Sequence, residues 1–562
     1  MDTKVEAPAR SRLSYGVAGL VAVALVAVAG GYGYHGDELY FLAAGRHLAW
    51  GYPDQPPLTP LVAHLMDLVA PDSLVVLRIP AAVAAGLTVL FVSLTAREMG
   101  GRPRAQLLAA SAAAVSGLVL VPGHMLHTTT IDICLSAALV WLVVRVLRTG
   151  DQRLLLVAGA VLGLGLLNKY QIAAVALALV VGLALVGPRD LLRSPWFLGG
   201  AVLALALWAP NLWWQAQHGW PQIAMANLIS ERGGNGARLS FVPLQLVYVS
   251  PFLAPLWIAG LVRLVRTPSF RFLGVAYLLL AAAFIAAGGS ALYLFGAYPA
   301  LLAAGGLAVD GWIDRGAAGR RAADRGATDR GAADRGAAGR GATDRGAFGH
   351  GVTDRGASGP GATGIGITGR DATSGATGRG ATGRGATVGV LLGASAAFVA
   401  PLALPIVPLD RLSVIPVVRL NGLTAEQFGW PELAETVTGV YRALPAAERA
   451  HAVVLTDNFG EAAAVERYAE DGMRDVVYSG YRGYGDWGPP PETATTVVIV
   501  GPGAKADPPA WAVRACRGGV RLAARTDNAH GVRNKEQGGR VWVCTGLGES
   551  WASLWPGIRH LD

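Results

Sequence analysis

The sequence predicts an α-helical polytopic membrane protein that carries a water-soluble α/β domain at its C-terminal end. Of 562 residues, 52% are apolar and only 15% are charged, against about 25% charged in soluble domains. Mean hydropathy is +0.41 over the whole length, which places much of the chain in a bilayer. The composition then changes at about residue 409, beyond which short β-branched runs and charged helical stretches return. The net charge of +9 lies between apolar segments and in one biased tract. It forms no folded basic patch, so nucleic acid is excluded as a partner.

Eleven apolar runs are candidate spans: 13–34, 74–96, 105–122, 131–148, 153–167, 171–187, 196–214, 243–262, 272–288, 291–308 and 388–408. The first follows Arg10 and Arg12 as a cleaved signal would. Its length and the ten runs behind it make it an uncleaved anchor. Orientation follows the cations beside the spans. Arg97, Arg102 and Arg104, then Arg145, Arg148 and Arg153, then Arg189 and Arg193, then Arg263, Arg266 and Arg271 all fall on the side of the N-terminus. The alternate loops hold few cations, so they are placed outside, and eleven spans put the C-terminus outside as well. The fifth and sixth runs are short and joined by Asn168-Lys169-Tyr170; one re-entrant hairpin is the alternative there, with the same parity.

This divides the chain into a membrane domain over 1–308, a tract over 309–387, a last transmembrane helix over 388–408 and an extracytoplasmic α/β domain over 409–562. The tract repeats Ala-Thr-Asp-Arg-Gly-like units with 12 Arg against 8 Asp and almost no large apolar side chain. It cannot bury enough surface to offset its ordering entropy, so it is expected to be a disordered cytoplasmic loop. In the last domain, HAVVLTD (451–457) and ATTVVIVG (494–501) read as buried strands, 461–472 as an amphipathic helix, and 520–525 with 540–544 as a late strand pair. Three cysteines are too few for a disulfide scaffold and show no zinc spacing. An oxidising compartment would favour a Cys516–Cys544 bridge.

The first outer loop, HGDELYFLAAGRHLAWGYPDQPP (35–57), sets Asp37 and Glu38 just beyond the first span. Adjacent carboxylates at a membrane face suit a general base or a cation site. They equally suit the start of an interfacial helix. Segments 39–50 and 58–70 read as two amphipathic helices lying in the interface. Asp132, at the outer end of the fourth span, either caps a helix or faces a cavity; His124 and His127 precede it, a weak metal pattern. Lys169 interrupts two apolar stretches, and Arg78 opens the second span. Either cation snorkels or binds an anionic phosphate. The segment NLWWQAQHGWPQ (211–222) brings Trp213, Trp214, Gln217 and His218 together, as an aromatic belt or as a sugar-binding surface.

Taken together, the 35–57 loop, LRIPAA, TIDICL, GLGLLNKYQ, APNLWWQAQHGWPQ and GAYPALLAAG resemble glycosyltransferase family 39. That family contains the dolichyl-phosphate-mannose protein mannosyltransferases and the aminoarabinose transferases of lipid A. The resemblance covers about 13–308, and YSGYRGYGDWGPPP (478–491) resembles the tail of actinobacterial-type members. It implies a C-type glycosyltransferase fold with about eleven transmembrane helices. It also implies transfer of a monosaccharide from a polyprenyl-phosphate donor to a protein, glycan or lipid acceptor on the outer face, with inversion. The family's acidic positions fall on Asp37, with Glu38 beside it, and on Asp132; its phosphate-binding cations fall on Arg78 and Lys169. Protein cations at a monophosphate donor require no metal and no other cofactor. One position departs: relatives commonly read Gly-Gly-Lys-Pro-Tyr-Tyr where this chain has GGSALYLFGAYP, with Ser290 in place of Lys. A transporter or lipid scramblase is the competing class, although no internal repeat supports it; a non-catalytic cell-envelope protein is the third.

Overall fold

The computed structural model describes residues 8–340, 379–412, 421–469, 472–501 and 507–561. Each of the eleven predicted runs is helical. They correspond to α1 (Arg12–Val28), α4 (Leu74–Glu98), α5 and α6 (Pro103–Ala114 and Gly117–Gly123), α7 (Thr128–Thr149), α8 (Leu154–Leu166), α9 (Gln171–Val186), α10 (Pro195–Gln217), α11 with α12 (Pro221–Val249 and Ala254–Arg266), α13 (Arg271–Ala286), α14 (Tyr298–Arg340) and α15 (Arg379–Ala403). Among the described residues, six helices are long and apolar enough to cross a membrane on their own, and up to eight spans result if each bent pair counts as one. The remaining three, α1, α8 and α9, are apolar but only 17, 13 and 16 residues long.

Local chemistry sets the helix ends. Ser73 caps α4 by accepting from the Val76 N–H at 3.3 Å. Gly150 ends α7 in the left-handed region at φ 70°, where a side chain would be strained. Where α8 meets α10, a Cβ on Gly159 would stand 2.1 Å from the Gly200 carbonyl, so the two backbones touch and only glycine fits. Glu98, at the end of α4, is buried and gathers Arg97, Arg145 and Arg148.

The tract 309–387 differs from expectation at both ends. α14 continues without interruption to Arg340, and α15 already begins at Arg379; residues 341–378 lie outside the described residues. Extending a helix that is already nucleated is far easier than starting one, and the Ala and Arg of the repeat are good helix formers. Contacts divide the described chain into one compact unit of Met1–Ala308 with Leu392–Asp562 and a second of Val309–Leu391.

The C-terminal residues form a five-stranded sheet in the order β2-β1-β3-β5-β4, with β1 at Ala452–Thr456, β2 at Val477–Ser479, β3 at Thr496–Gly501, β4 at Val520–Thr526 and β5 at Gly539–Cys544. β1 runs parallel to β2 and β3, while β5 pairs antiparallel with β3 and β4. A disulfide joins Cys516 to Cys544 with the Cα atoms 5.7 Å apart. The helix Phe459–Tyr468 carries a capping box built by Asn458 and Glu461.

One of the two predicted interface helices, the first, departs from the amphipathic expectation. α2 (Gly36–Arg46) is buried from Glu38 to Gly45, and α3 (Leu58–Val69) packs beside it. A single apolar core runs from Leu39, Phe41 and Leu77 to Trp430, Val465 and Val498. The sheet domain is thus fused onto α2, and α2 lies beneath protein where the sequence suggested lipid headgroups.

Candidate functional site

The loop after α1 is built around α2. His35 is its N-cap: the Asp37 N–H donates to His35 Nδ1 at 3.1 Å, and the His35 N–H donates to Glu38 Oε2 at 2.9 Å. Glu38 therefore points back into the loop. It meets Arg78 there, and both side chains are essentially inaccessible, 0% and 1% exposed. Arg78 uses all five of its donors inside the protein, on both Glu38 oxygens and on the carbonyls of Ala29, Gly31 and Gly33. The expectation that Arg78 faces a donor phosphate and Glu38 a substrate is corrected by this closed ion pair, in which neither has a group turned to a cavity.

Asp37, one residue earlier, goes the other way. Its side chain is 29% exposed, and it lines a cavity of about 480 Å³. His127, the N-cap of α7, accepts the Thr129 N–H on Nδ1 at 3.1 Å, which leaves Nε2–H facing Asp37 Oδ2 at 3.4 Å. Burial raises the Asp37 pKa, but the hydrogen bond from His127 and the nearby Arg482 guanidinium help hold it well below the usual carboxylate range. Asp37 is therefore a carboxylate that accepts a proton only under strong demand.

Lys169 lines the same cavity. The turn that carries it is pinned by Asn168, which accepts from the Thr59 hydroxyl at 2.7 Å and donates to the Thr128 carbonyl at 2.8 Å. The ammonium donates to Thr129 Oγ1 at 2.8 Å. Asp132 does not line the cavity; it is buried in α7, with Oδ1 lacking a hydrogen-bond partner. His124 and His127 do not converge with Asp132, since His124 Nε2 meets Gln427 at 3.2 Å.

The aromatic and amide group on α10 lies elsewhere. Among Trp213, Trp214, Gln217 and His218, none lines the cavity. Trp213 is 69% exposed. Trp214 stacks on His218 at 3.9 Å and packs against Gly51, where a Cβ would come within 2.6 Å of its ring. The buried members of that helix, Asn211 and Gln215, do the structural work: Asn211 donates to the Trp50 carbonyl at 2.7 Å and accepts from Tyr170 and Trp208. Trp213 is thus exposed on the helix surface and Trp214 half-buried beside it, away from the cavity that Asp37 lines.

Three residues of the cavity were missed in the sequence. Asp54 accepts from Tyr40 Oη at 2.8 Å and faces Arg482 Nη1 at 3.4 Å. Arg482 comes from the C-terminal domain, with its guanidinium 5.0 Å from the Phe459 ring and 4.8 Å from the Tyr481 ring. Tyr293 also lines the cavity and follows Ser290, whose Oγ accepts from the Leu292 N–H at 3.3 Å. The only local hint was the run YSGYRGYGDW, where glycines flank an arginine among aromatic residues.

Residues 54–214 match the family described as dolichyl-phosphate-mannose-protein mannosyltransferase, which bears out the resemblance read from the sequence over that stretch. No curated protein sequence matches the chain. Among solved structures, ArnT from Cupriavidus metallidurans in the apo state superposes with a TM-score of 0.55 at 13% identity, covering 94% of this chain and 97% of that one. The same protein bound to undecaprenyl phosphate gives a TM-score of 0.52 at 14% identity with the same coverage. This likeness shows the fold: a polytopic membrane glycosyltransferase fold with a C-terminal sheet domain.

Proposed function

We propose that the chain is a membrane glycosyltransferase that moves a monosaccharide from a polyprenyl-phosphate donor to an acceptor on the outer face, with inversion and without a metal. The observation that carries this reading is the cavity in which Asp37 and Lys169 face one space. The match over 54–214 supports sugar transfer from a lipid phosphate, and the undecaprenyl phosphate held by ArnT supports a polyprenyl carrier.

In this reading the acceptor hydroxyl attacks the anomeric carbon on the face opposite the phosphate. The carbon–oxygen bond to the phosphate breaks, its electron pair leaves on the phosphate oxygen, and the hydroxyl proton passes to Asp37. Lys169 stabilises the charge that develops on the leaving phosphate. A fixed ammonium does at a monophosphate what a divalent ion does at a diphosphate. Membrane lipid surrounds the donor, and a protein, glycan or lipid is the acceptor. The cation-poor loops support an extracytoplasmic position for the cavity and the sheet domain.

The test is acceptor-dependent release of polyprenyl phosphate when purified protein is given polyprenyl-phosphate sugars. Asp37→Asn is expected to lower turnover by about 10²–10⁴-fold with an unchanged melting temperature, because His35 and Glu38, not Asp37, cap α2. Full turnover in Asp37→Asn removes the base from this mechanism. A protein that moves the lipid across vesicles without releasing polyprenyl phosphate is a transporter or scramblase.

A further inference from the structure

The cavity described above has a second cation, and its chain of origin is the outer domain. Arg482 and Arg78 are both largely buried arginines beside a carboxylate, yet their donors are used differently. All five donors of Arg78 are engaged. Arg482 has one hydrogen bond from its side chain, Nη1 to Asp54 Oδ2 at 3.4 Å, and its buried Nε has no partner. The guanidinium carbon lies 5.0 Å from the Phe459 ring and 4.8 Å from the Tyr481 ring, and these two rings stack on each other. Aromatic neighbours of this kind leave N–H groups of the guanidinium available, and their planar edge matches the oxygens of a phosphate.

The backbone is set up for this placement. Arg482 has φ 49° and ψ −126°, a conformation that a residue with a side chain adopts only when its surroundings impose it. The Arg482 N–H donates to the His560 carbonyl at 3.0 Å, and the following Gly483 N–H donates to Tyr40 Oη at 3.3 Å. Tyr40 in turn donates to Asp54 and stacks on Phe459 at 4.5 Å. The strained residue is held between the two parts of the molecule, and its side chain joins Asp37 and Lys169 in the cavity wall. Asp54 is a weak counter-ion: burial raises its pKa, with Arg482 and Tyr40 only partly offsetting.

We infer that Arg482 binds the phosphate of a polyprenyl-phosphate ligand together with Lys169, so that the outer domain completes the site. The inference rests on the donor reading of the cavity. Asp54 holds the guanidinium until the phosphate arrives, and the phosphate then takes the N–H edge.

The experiment measures binding of undecaprenyl phosphate, and of undecaprenol as the uncharged control, to the full chain and its Arg482→Gln, Arg482→Lys and Lys169→Met variants. Melting temperatures check that each is folded. Arg482→Gln is expected to weaken undecaprenyl phosphate binding about tenfold or more. Arg482→Lys should recover only part of that loss, because it keeps the charge without the fork. Undecaprenol binding should not change. Wild-type affinity in Arg482→Gln with weakened binding in Lys169→Met overturns the inference and leaves the cavity reading standing. Wild-type affinity in both overturns the cavity reading as well. Displacement of the lipid by millimolar inorganic phosphate, with the same dependence on Arg482, would assign the residue to free anions and overturn its donor role. Should Arg482→Gln fail to fold, full affinity in a folded Arg482→Lys variant would equally refute the need for the fork.

Discussion

Arg78 and Glu38 face each other in a two-point ion pair, Nε to Oε1 at 2.9 Å and Nη2 to Oε2 at 2.7 Å, closed off from solvent. Burial raises the Glu38 pKa, but the Arg78 charge and hydrogen bonds outweigh it and keep the carboxylate below its ordinary value. The pair ties four pieces together: the end of α1 through the Ala29 carbonyl, the loop through Gly31 and Gly33, the cap of α2 through the His35 N–H, and the turn before α7 through the Leu126 N–H at 2.8 Å. Asp37 and His127, which meet in the cavity, sit on two of those pieces. The clamp therefore acts on the site by position alone.

Removing one partner of such a pair leaves a buried charge alone, so Arg78→Met should destabilise the protein by about 3–5 kcal/mol. Adding Glu38→Gln should restore part of that loss, since no isolated charge remains. Thermal melting of the single and double variants reads this directly. Residual folded Arg78→Met should bind undecaprenyl phosphate as the wild type does, whereas a specific loss of lipid binding at unchanged stability would return Arg78 to the phosphate.

The proposed extracytoplasmic position of the sheet domain makes a paired prediction. A reporter fused after Asp562 should be extracytoplasmic, and one inserted at Gly351 cytoplasmic. Thiol labelling of the folded, non-reduced protein should find at most the buried Cys134, because Cys516 and Cys544 are bridged. Closing a loop with a sequence separation of 28 stabilises by about 3–4 kcal/mol in the chain-entropy model, a loss that reduction should reproduce. Both reporters on one side would refute the eleven-span reading.

The helices were legible because apolar runs of near-spanning length have few other uses, and the strands because β-branched runs bounded by turns do. Asp37 and Lys169 were legible for a related reason: each is an ionisable group beside apolar sequence. That signal could not separate them from Arg78 and Glu38, which look the same in the chain and differ only in where their partners lie. Glu38 reads as a twin of Asp37, yet one helical step turns it through roughly 100° and into the protein. Arg482 was illegible for the opposite reason. It sits in soluble sequence more than four hundred residues from Asp37, and only the apolar core shared by α2 and the sheet domain brings it to the cavity.

The last prediction concerns pH. Burial lowers the His127 pKa, and the hydrogen bond and charge of Asp37 offset this only in part, so the ring is neutral at neutral pH. Neutral His127 accepts the Thr129 N–H on Nδ1 and turns Nε2–H to Asp37. Protonation puts a hydrogen on Nδ1, removes the cap of α7, and sets a full positive charge beside the carboxylate that must take the acceptor's proton. The folded pKa lies below the ordinary value of about 6.5, so the folded state binds fewer protons than the unfolded chain. Stability from this residue is therefore lost as pH falls through that region and below. Transfer should be level from about pH 7 upward and fall on the acid side with a midpoint below about 6.5. His127→Asn keeps a good capping oxygen but does not titrate. Its pH profile should lose that acid limb while α7 keeps its stability, and an unchanged limb in the variant would assign the titration to another group.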